Sequence, residues 1–218
     1  MTLSSQTVQP VWPILARSSV ALFAVALPLG AVLLLAEASA LPAIIALAMM
    51  SAGMIAAAAS GRLWLGLGAA VGVAFTLLLV ASVSGQSIGI EPLGVALAIA
   101  IASLSFAARG ALFARSAGPR GWLVALAIVA GEGAVVLSAV IDPDLWPDWL
   151  LALLPAQWAS MAFDAAIGST FGTAPFTALG GTALATLLVV HLWPRRWTYA
   201  IMFSVWLGLS ALVYHSPV

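Results

Sequence analysis

Runs of about 20 apolar residues succeed one another along this chain, and the run from Gly121 to Ile141 carries a single ionisable residue, Glu132, at its centre. At 1.5 Å rise per residue, a helix of that length matches the roughly 30 Å hydrocarbon core of a bilayer. Such runs leave few options for a fold. Hydrophobic residues make up 64% of the 218 and charged residues 6%, whereas a soluble domain is roughly 45 to 50% apolar and about 25% charged. In lipid, every backbone polar group must find its partner inside the protein, so only helices and closed barrels cross. The alternation of Ala96, Ala98, Ala100 and Ala102 with bulkier residues could suggest a strand, but a lone strand in lipid would leave its backbone groups unpaired, so helix is expected there too. The expected fold class is all-α, a polytopic transmembrane helix bundle.

Several chemistries are excluded. The net charge is zero and all seven basic residues are arginines. A broad basic face for nucleic acid is therefore not expected. Without lysine there is no Schiff base, hence no retinal-type pigment linkage, and no phosphate-binding GxxxxGK[ST] loop. Without cysteine there are no disulfides, thiolate nucleophiles or cysteine-held metals. The residues name no cofactor.

Taken in order, residues 1 to 17 form a polar, proline-broken cytoplasmic segment, and residues 18 to 218 a single transmembrane domain. The first run, 18 to 36, follows Arg17 and resembles a secretory signal peptide with Ala38-Ser39-Ala40 as its cleavage site, but its length favours an uncleaved span. Further spans are expected at 40 to 60, 63 to 83, 92 to 108 and 121 to 141. Pro92 suits the first turn of the fourth. In the third, Gly68 and Gly72 have the spacing that lets helices approach closely in lipid, with Gly66 and Ala70 one step around. Spans at 173 to 193 and 197 to 214 complete the set.

Residues 142 to 172 are ambiguous by hydropathy. They mix Trp146, Trp149 and Trp158 with Asp142, Asp144, Asp148 and Asp164 and three prolines. Aromatic and acidic residues together fit the headgroup level, so this segment reads as an outer interfacial surface carrying Trp146, Trp149, Trp158 and Asp164. Charge supports that choice. With 142 to 172 outside the bilayer core, all seven arginines fall on one side and Glu37, Glu91, Asp142 and Asp144 on the other. An eighth span would put Arg195 and Arg196 on the wrong side. The positive-inside rule then gives seven spans, the N terminus cytoplasmic and the C terminus outside.

Glu132 leads the candidate site. A carboxylate at bilayer centre is costly and should face protein or a wet cavity. Ala127, Gly131, Ala134 and Ser138 form a small-residue stripe beside it, which places Ala127 and Gly131 among the expected helix-packing positions. No basic residue is expected at its depth. Its hydrogen-bonding neighbours are instead sought among Thr76, Ser103, Ser105, Thr182 and Thr186, with Thr182 and Thr186 sharing one helix face; hydroxyls of this kind more often bond back to their own helix. His191 and His215 fall at opposite ends, so they do not pair on one haem iron. No residue set has metal-ligand spacing, and DPDxxxD is not a calcium loop. Asp148 is placed to cap a helix starting at Trp149. Gly168-Ser169-Thr170 lacks the second glycine of a rhomboid-type serine setting, so no catalytic residue is assigned.

Two functional readings stand side by side. In the first, the chain moves a small solute or ion, as a transporter or channel-like component, with Glu132 as its proton or cation group and Thr182, Thr186 and Ser103 along the path. In the second, it is a non-catalytic subunit that packs against other membrane proteins or binds lipid or pigment. An intramembrane enzyme ranks third. Its surroundings are the lipid bilayer and possible partner subunits, with no nucleic acid. Compact loops favour a bacterial inner membrane.

Overall fold

A computed structural model describes residues 40–83, 92–168, 172–195 and 197–216. The expected first span at 18 to 36, Arg17, Glu37, Glu91, Arg196 and the serine motif at 169 and 170 lie outside the described residues. Among those described, the chain is helical and without strands. The helices are α1 (Leu41–Ser60), α2 (Leu63–Val83), α3 (Pro92–Ala117), α4 (Gly121–Ile141), α5 (Asp148–Leu151), α6 (Pro155–Ile167), α7 (Thr173–His191) and α8 (Trp197–Tyr214). Five helical stretches are long and apolar enough to cross a membrane: α1, α2, the 50-residue stretch Pro92–Ile141, α7 and α8.

Glycine sets two of the turns. Gly61 takes a left-handed conformation at φ 67° and its N–H donates to the Ala57 carbonyl at 2.9 Å, closing α1 as such C-caps do. Gly118, at φ 56°, opens the 3₁₀ turn Gly118–Arg120 that splits the 50-residue stretch into α3 and α4. A side chain at Gly121 would collide with the Phe113 carbonyl, so α4 leaves the turn pressed against the end of α3.

Close contacts give the helix directions. A side chain at Gly53 of α1 would meet Ala70 of α2 and Phe106 of α3; one at Gly110 of α3 would meet the Met54 carbonyl and Ala57 of α1. Numbers rise together in α1 and α3, which are therefore parallel. α2 returns against both, with Gly66 against Gly53, Ala57 and Ala107. α3 and α7 are parallel as well: Ser105 Oγ lies 3.5 Å from Thr182 Oγ1, and the Arg115 guanidinium donates to the Val190 carbonyl near the end of α7. Arg62, Arg115, Arg120 and Arg195 consequently gather at one end of the bundle. Asp142 and Asp144, beyond the far end of α4, lie at the other.

α1 is the centre. It packs against α2, α3, α4 and α6, and buries nearly every side chain, including Ile45, Met49, Met50 and Met54. α2 buries only the stripe Gly66, Ala70, Ala74, Leu77 and Ala81; Trp64, Phe75, Leu79 and Val83 face outward, as do Phe203, Leu207 and Leu212 of α8. Apolar side chains turned outward on bilayer-length helices are surface for lipid, and the protein is an integral membrane protein.

Two sets of expected packing residues point elsewhere. Among the described residues nothing meets Gly68 or Gly72, and the contact is made by Gly66 and Ala70, because the buried stripe of α2 is rotated by half a turn. Among the described residues Gly131 likewise meets nothing, and Ala127 is exposed. The inner face of α4 is Gly121, Ala125, Val129 and Val136.

The segment 142 to 172 departs furthest from expectation. Because α4 ends and α7 begins at the acidic end, this segment enters and leaves by the same end. It is nevertheless not confined to the surface. Trp158, Phe163, Ala156, Ala159 and Ala162 are completely buried. Trp158 is a core residue whose indole N–H donates to the Ala152 carbonyl at 2.8 Å, whereas Trp149 is 57% exposed. Trp146 is part-buried, its indole N–H donating to Ser138 Oγ at 2.8 Å, and Asp164 is exposed. Asp148 makes no capping bond; it is the first residue of α5, and Pro147 stands at the cap position.

Candidate functional site: a charged cavity beside a half-length helix

Glu132 stands midway along α4, and what holds it is the start of another helix. The Ala156 N–H donates to Glu132 Oε2 at 3.0 Å. Pro155 is the first residue of α6 and has no N–H to offer, so Ala156 supplies the first free donor of that helix. With 13 residues α6 extends about 20 Å, short of the roughly 30 Å needed to cross. It starts at the depth of Glu132 and runs back towards the acidic end. The arrangement joins a carboxylate to the positive end of a helix dipole inside the bundle.

The second charged group is one that sequence reasoning placed in a loop. The fourth span was expected to end near Ala108, which put Arg109 outside the membrane; α3 instead continues to Ala117. Arg109 therefore lies more than two turns inside the helix. Its guanidinium donates to Ser105 Oγ at 3.1 Å and sits 5.6 Å from the Phe106 ring centroid, a cation–π distance. Because α3 and α4 fold back on each other at Gly118, Arg109 and Glu132 arrive at similar depth. Both line one cavity, and no direct salt bridge joins them.

The cavity has a volume of about 470 Å³. Arg109, Thr182 and Thr186 form its back wall on α3 and α7, Glu132 and Ile128 one side on α4, and Met202, Phe203 and Trp206 the other side on α8. Leu150, Leu153, Leu154 and Pro155 cover it towards the acidic end, and Leu112 and Phe113 towards the arginine end. The volume lies in the range of sites for one small organic ligand. Arg109 has one hydrogen bond for five N–H groups, and Glu132 has one for two oxygens. Both keep unused capacity beside the empty space.

The hydroxyls expected along a path are divided. Thr182 and Thr186 line the cavity, yet each bonds back to its own helix, Thr182 to the Ala178 and Leu179 carbonyls at 2.9 and 3.0 Å and Thr186 to the Thr182 carbonyl at 2.7 Å. Ser103 is buried with its Oγ unpartnered and is absent from the cavity lining. Thr76 bonds back to the Gly72 carbonyl on the exposed face of α2. Sequence reasoning named Ser105 but missed Arg109, which Ser105 meets. The signal available was RGALFAR, which continues the helical spacing of small and apolar residues past Arg109 with no breaker before Gly118.

The fold and site thus define a polytopic helical membrane protein with a charged internal cavity. Comparison with protein-family models, with curated proteins and with solved structures gave no match.

Proposed function

We propose that this chain is a transporter of small ionisable solutes, spanning the membrane seven times with its N terminus cytoplasmic, and that the Arg109–Glu132 cavity is its solute site. The observation that carries the reading is the cavity itself: two opposite charges at similar depth in the wall of one cavity, with no salt bridge between them. An arginine and a glutamate taken out of water without mutual contact are costly to keep, which favours a role beyond packing. The gathering of Arg62, Arg115, Arg120 and Arg195 at one bundle end supports a cytoplasmic assignment for that end. A bacterial inner membrane suits loops this short.

Arg109 changes the chemistry expected of Glu132. A guanidinium nearby disfavours a bare metal cation by like-charge repulsion, whereas it favours an anionic group and offers it a two-pronged donor. Glu132 is then the proton group. When it takes up a proton, Arg109 loses its counter-charge and accepts an anion; when the anion leaves, the proton follows. One proton and one monoanion move together, and no net charge crosses.

Proteoliposomes carrying an internal pH dye test this with short alkylsulfonates, whose neutral acids do not exist at working pH and so do not leak. Wild-type protein should acidify or alkalinise the lumen along the sulfonate gradient. Glu132→Gln should abolish proton movement, a loss of at least tenfold, while preserving insertion. Proton flux unchanged in Glu132→Gln would end the proposal.

A second reading, a non-catalytic subunit of a larger complex, is favoured by the outward placement of Gly68, Gly72, Ala127 and Gly131. Among the described residues those small residues leave helix faces open. Purification from native membranes with co-eluting subunits, coupled to absence of sulfonate flux, would select it.

A further inference from the structure

The cavity has a direction of entry. α4 and α8 supply its two sides, and among the described residues they are not a closely packed pair. Described residues line the remaining sides: α3 and α7 behind, Leu150, Leu153, Leu154 and Pro155 towards the acidic end, Leu112 and Phe113 towards the arginine end. The open interval is rimmed by Ile128, Met202 and Phe203, and Phe203 is 54% exposed. It lies at the depth of Glu132, midway along a bilayer-length helix. At that depth the medium outside is acyl chain, not water.

We infer that the ligand of this cavity is a single-chain amphiphile with a carboxylate head, entering sideways from the bilayer between α4 and α8 and docking its head on Arg109. The inference rests on the reading of the Arg109–Glu132 cavity as a ligand site and names the substrate class. Three observations select it. The walls are apolar apart from Arg109, Glu132 and two threonines whose hydroxyls are already bonded to their own helix, so the ligand needs one polar end and an apolar body. Arg109, with donors left over from its bond to Ser105, favours a negative head. A volume of about 470 Å³ suits one small ligand and excludes a two-chain phospholipid. The carboxylate takes the guanidinium donors that Ser105 leaves free, Glu132 is protonated in the occupied state, and the tail lies along Met202, Phe203 and Trp206.

Photolabelling in nanodiscs tests the assignment, with a sixteen-carbon carboxylic acid carrying a mid-chain diazirine as probe and peptide mass spectrometry as readout. Labels should concentrate on α8 around Met202 to Trp206 and on Leu150 to Leu154. Palmitate should compete, and methyl palmitate, which has the same tail and no charge, should compete at least tenfold more weakly. Met202→Trp, a rim substitution on a part-buried residue away from the charged pair, should cut labelling at least tenfold while leaving the protein monodisperse. Arg109→Gln should remove the preference for acid over ester; should that variant not fold, the ester competition and the rim variant decide alone. Labelling spread evenly over lipid-facing positions such as Phe75 and Leu79, or equal competition by the ester, would overturn the inference. Cavity labelling without sulfonate flux would instead remove the transport reading and leave the binding assignment standing. Glu132-dependent flux without cavity labelling would do the reverse.

Discussion

α1 and α2 are adjacent, nearly equal in length and close in mean hydropathy, 2.0 and 2.3, yet 89% of the most apolar window of α1 is buried and only 22% of that of α2. The more apolar helix is the more exposed one. In water that order would be perverse; in a bilayer it is expected, because lipid tails are as apolar as leucine and hydrophobicity gives no reason to face inward. What separates the two helices is side-chain size at contact points. α1 meets its neighbours where Gly53, Gly66 and Gly110 let backbones touch Ala57, Ala70 and Ala107. α2 offers one such stripe and turns large side chains outward. Packing shape, not apolarity, sorts inside from outside here.

The largest effect should come from filling the contact around α1. Gly110→Val, which would drive a side chain into the Met54 carbonyl, should cost at or above roughly 3 kcal/mol and remove the monodisperse folded species on size-exclusion chromatography in mild detergent. Gly66→Val should behave similarly. Next in size, Trp158→Ala should destabilise by about 3 to 5 kcal/mol, measured by unfolding in a denaturing detergent, because it empties a fully enclosed site in α6. Trp149→Ala, at the exposed start of the same segment, should stay within about 0.5 kcal/mol. Equal effects for the two tryptophans would break the distinction between a buried half-length helix and a surface belt. Smallest of all, Gly68→Leu and Gly72→Leu should leave the stability of the monomer within about 0.5 kcal/mol. If either disrupts a native assembly while the isolated chain stays intact, the outward face of α2 is a partner surface, and the contrast with α1 is sharpened.

The helices themselves were legible. Of the seven expected ranges, six coincide with described helices, with α3 alone extending well past its expected end, because bilayer-length apolar runs bounded by glycine, proline and arginine have few alternatives. The site was half legible. Glu132 stands out in any reading of the chain, since one carboxylate among twenty apolar residues is conspicuous. Arg109 did not, because an arginine nine residues before a glycine turn reads as loop when the helix is ended at the last wholly apolar residue. Segment 142 to 172 misled for a related reason: tryptophan, aspartate and proline are belt residues on average, but Trp158 satisfies its indole on the Ala152 carbonyl and can then be buried.

By itself the sequence determined the solvent, the helical class, where most of the crossing helices run and the presence of a mid-depth carboxylate, since each follows from local composition and from the impossibility of leaving backbone groups bare in lipid. Only the tertiary structure decided which face of each helix is inside, that α6 starts at Glu132, and that Arg109 stands across the cavity from it. In an environment where both faces of a helix are apolar, the periodicity that would mark the inner face in water is erased, and those choices fall to contacts between residues far apart in the chain.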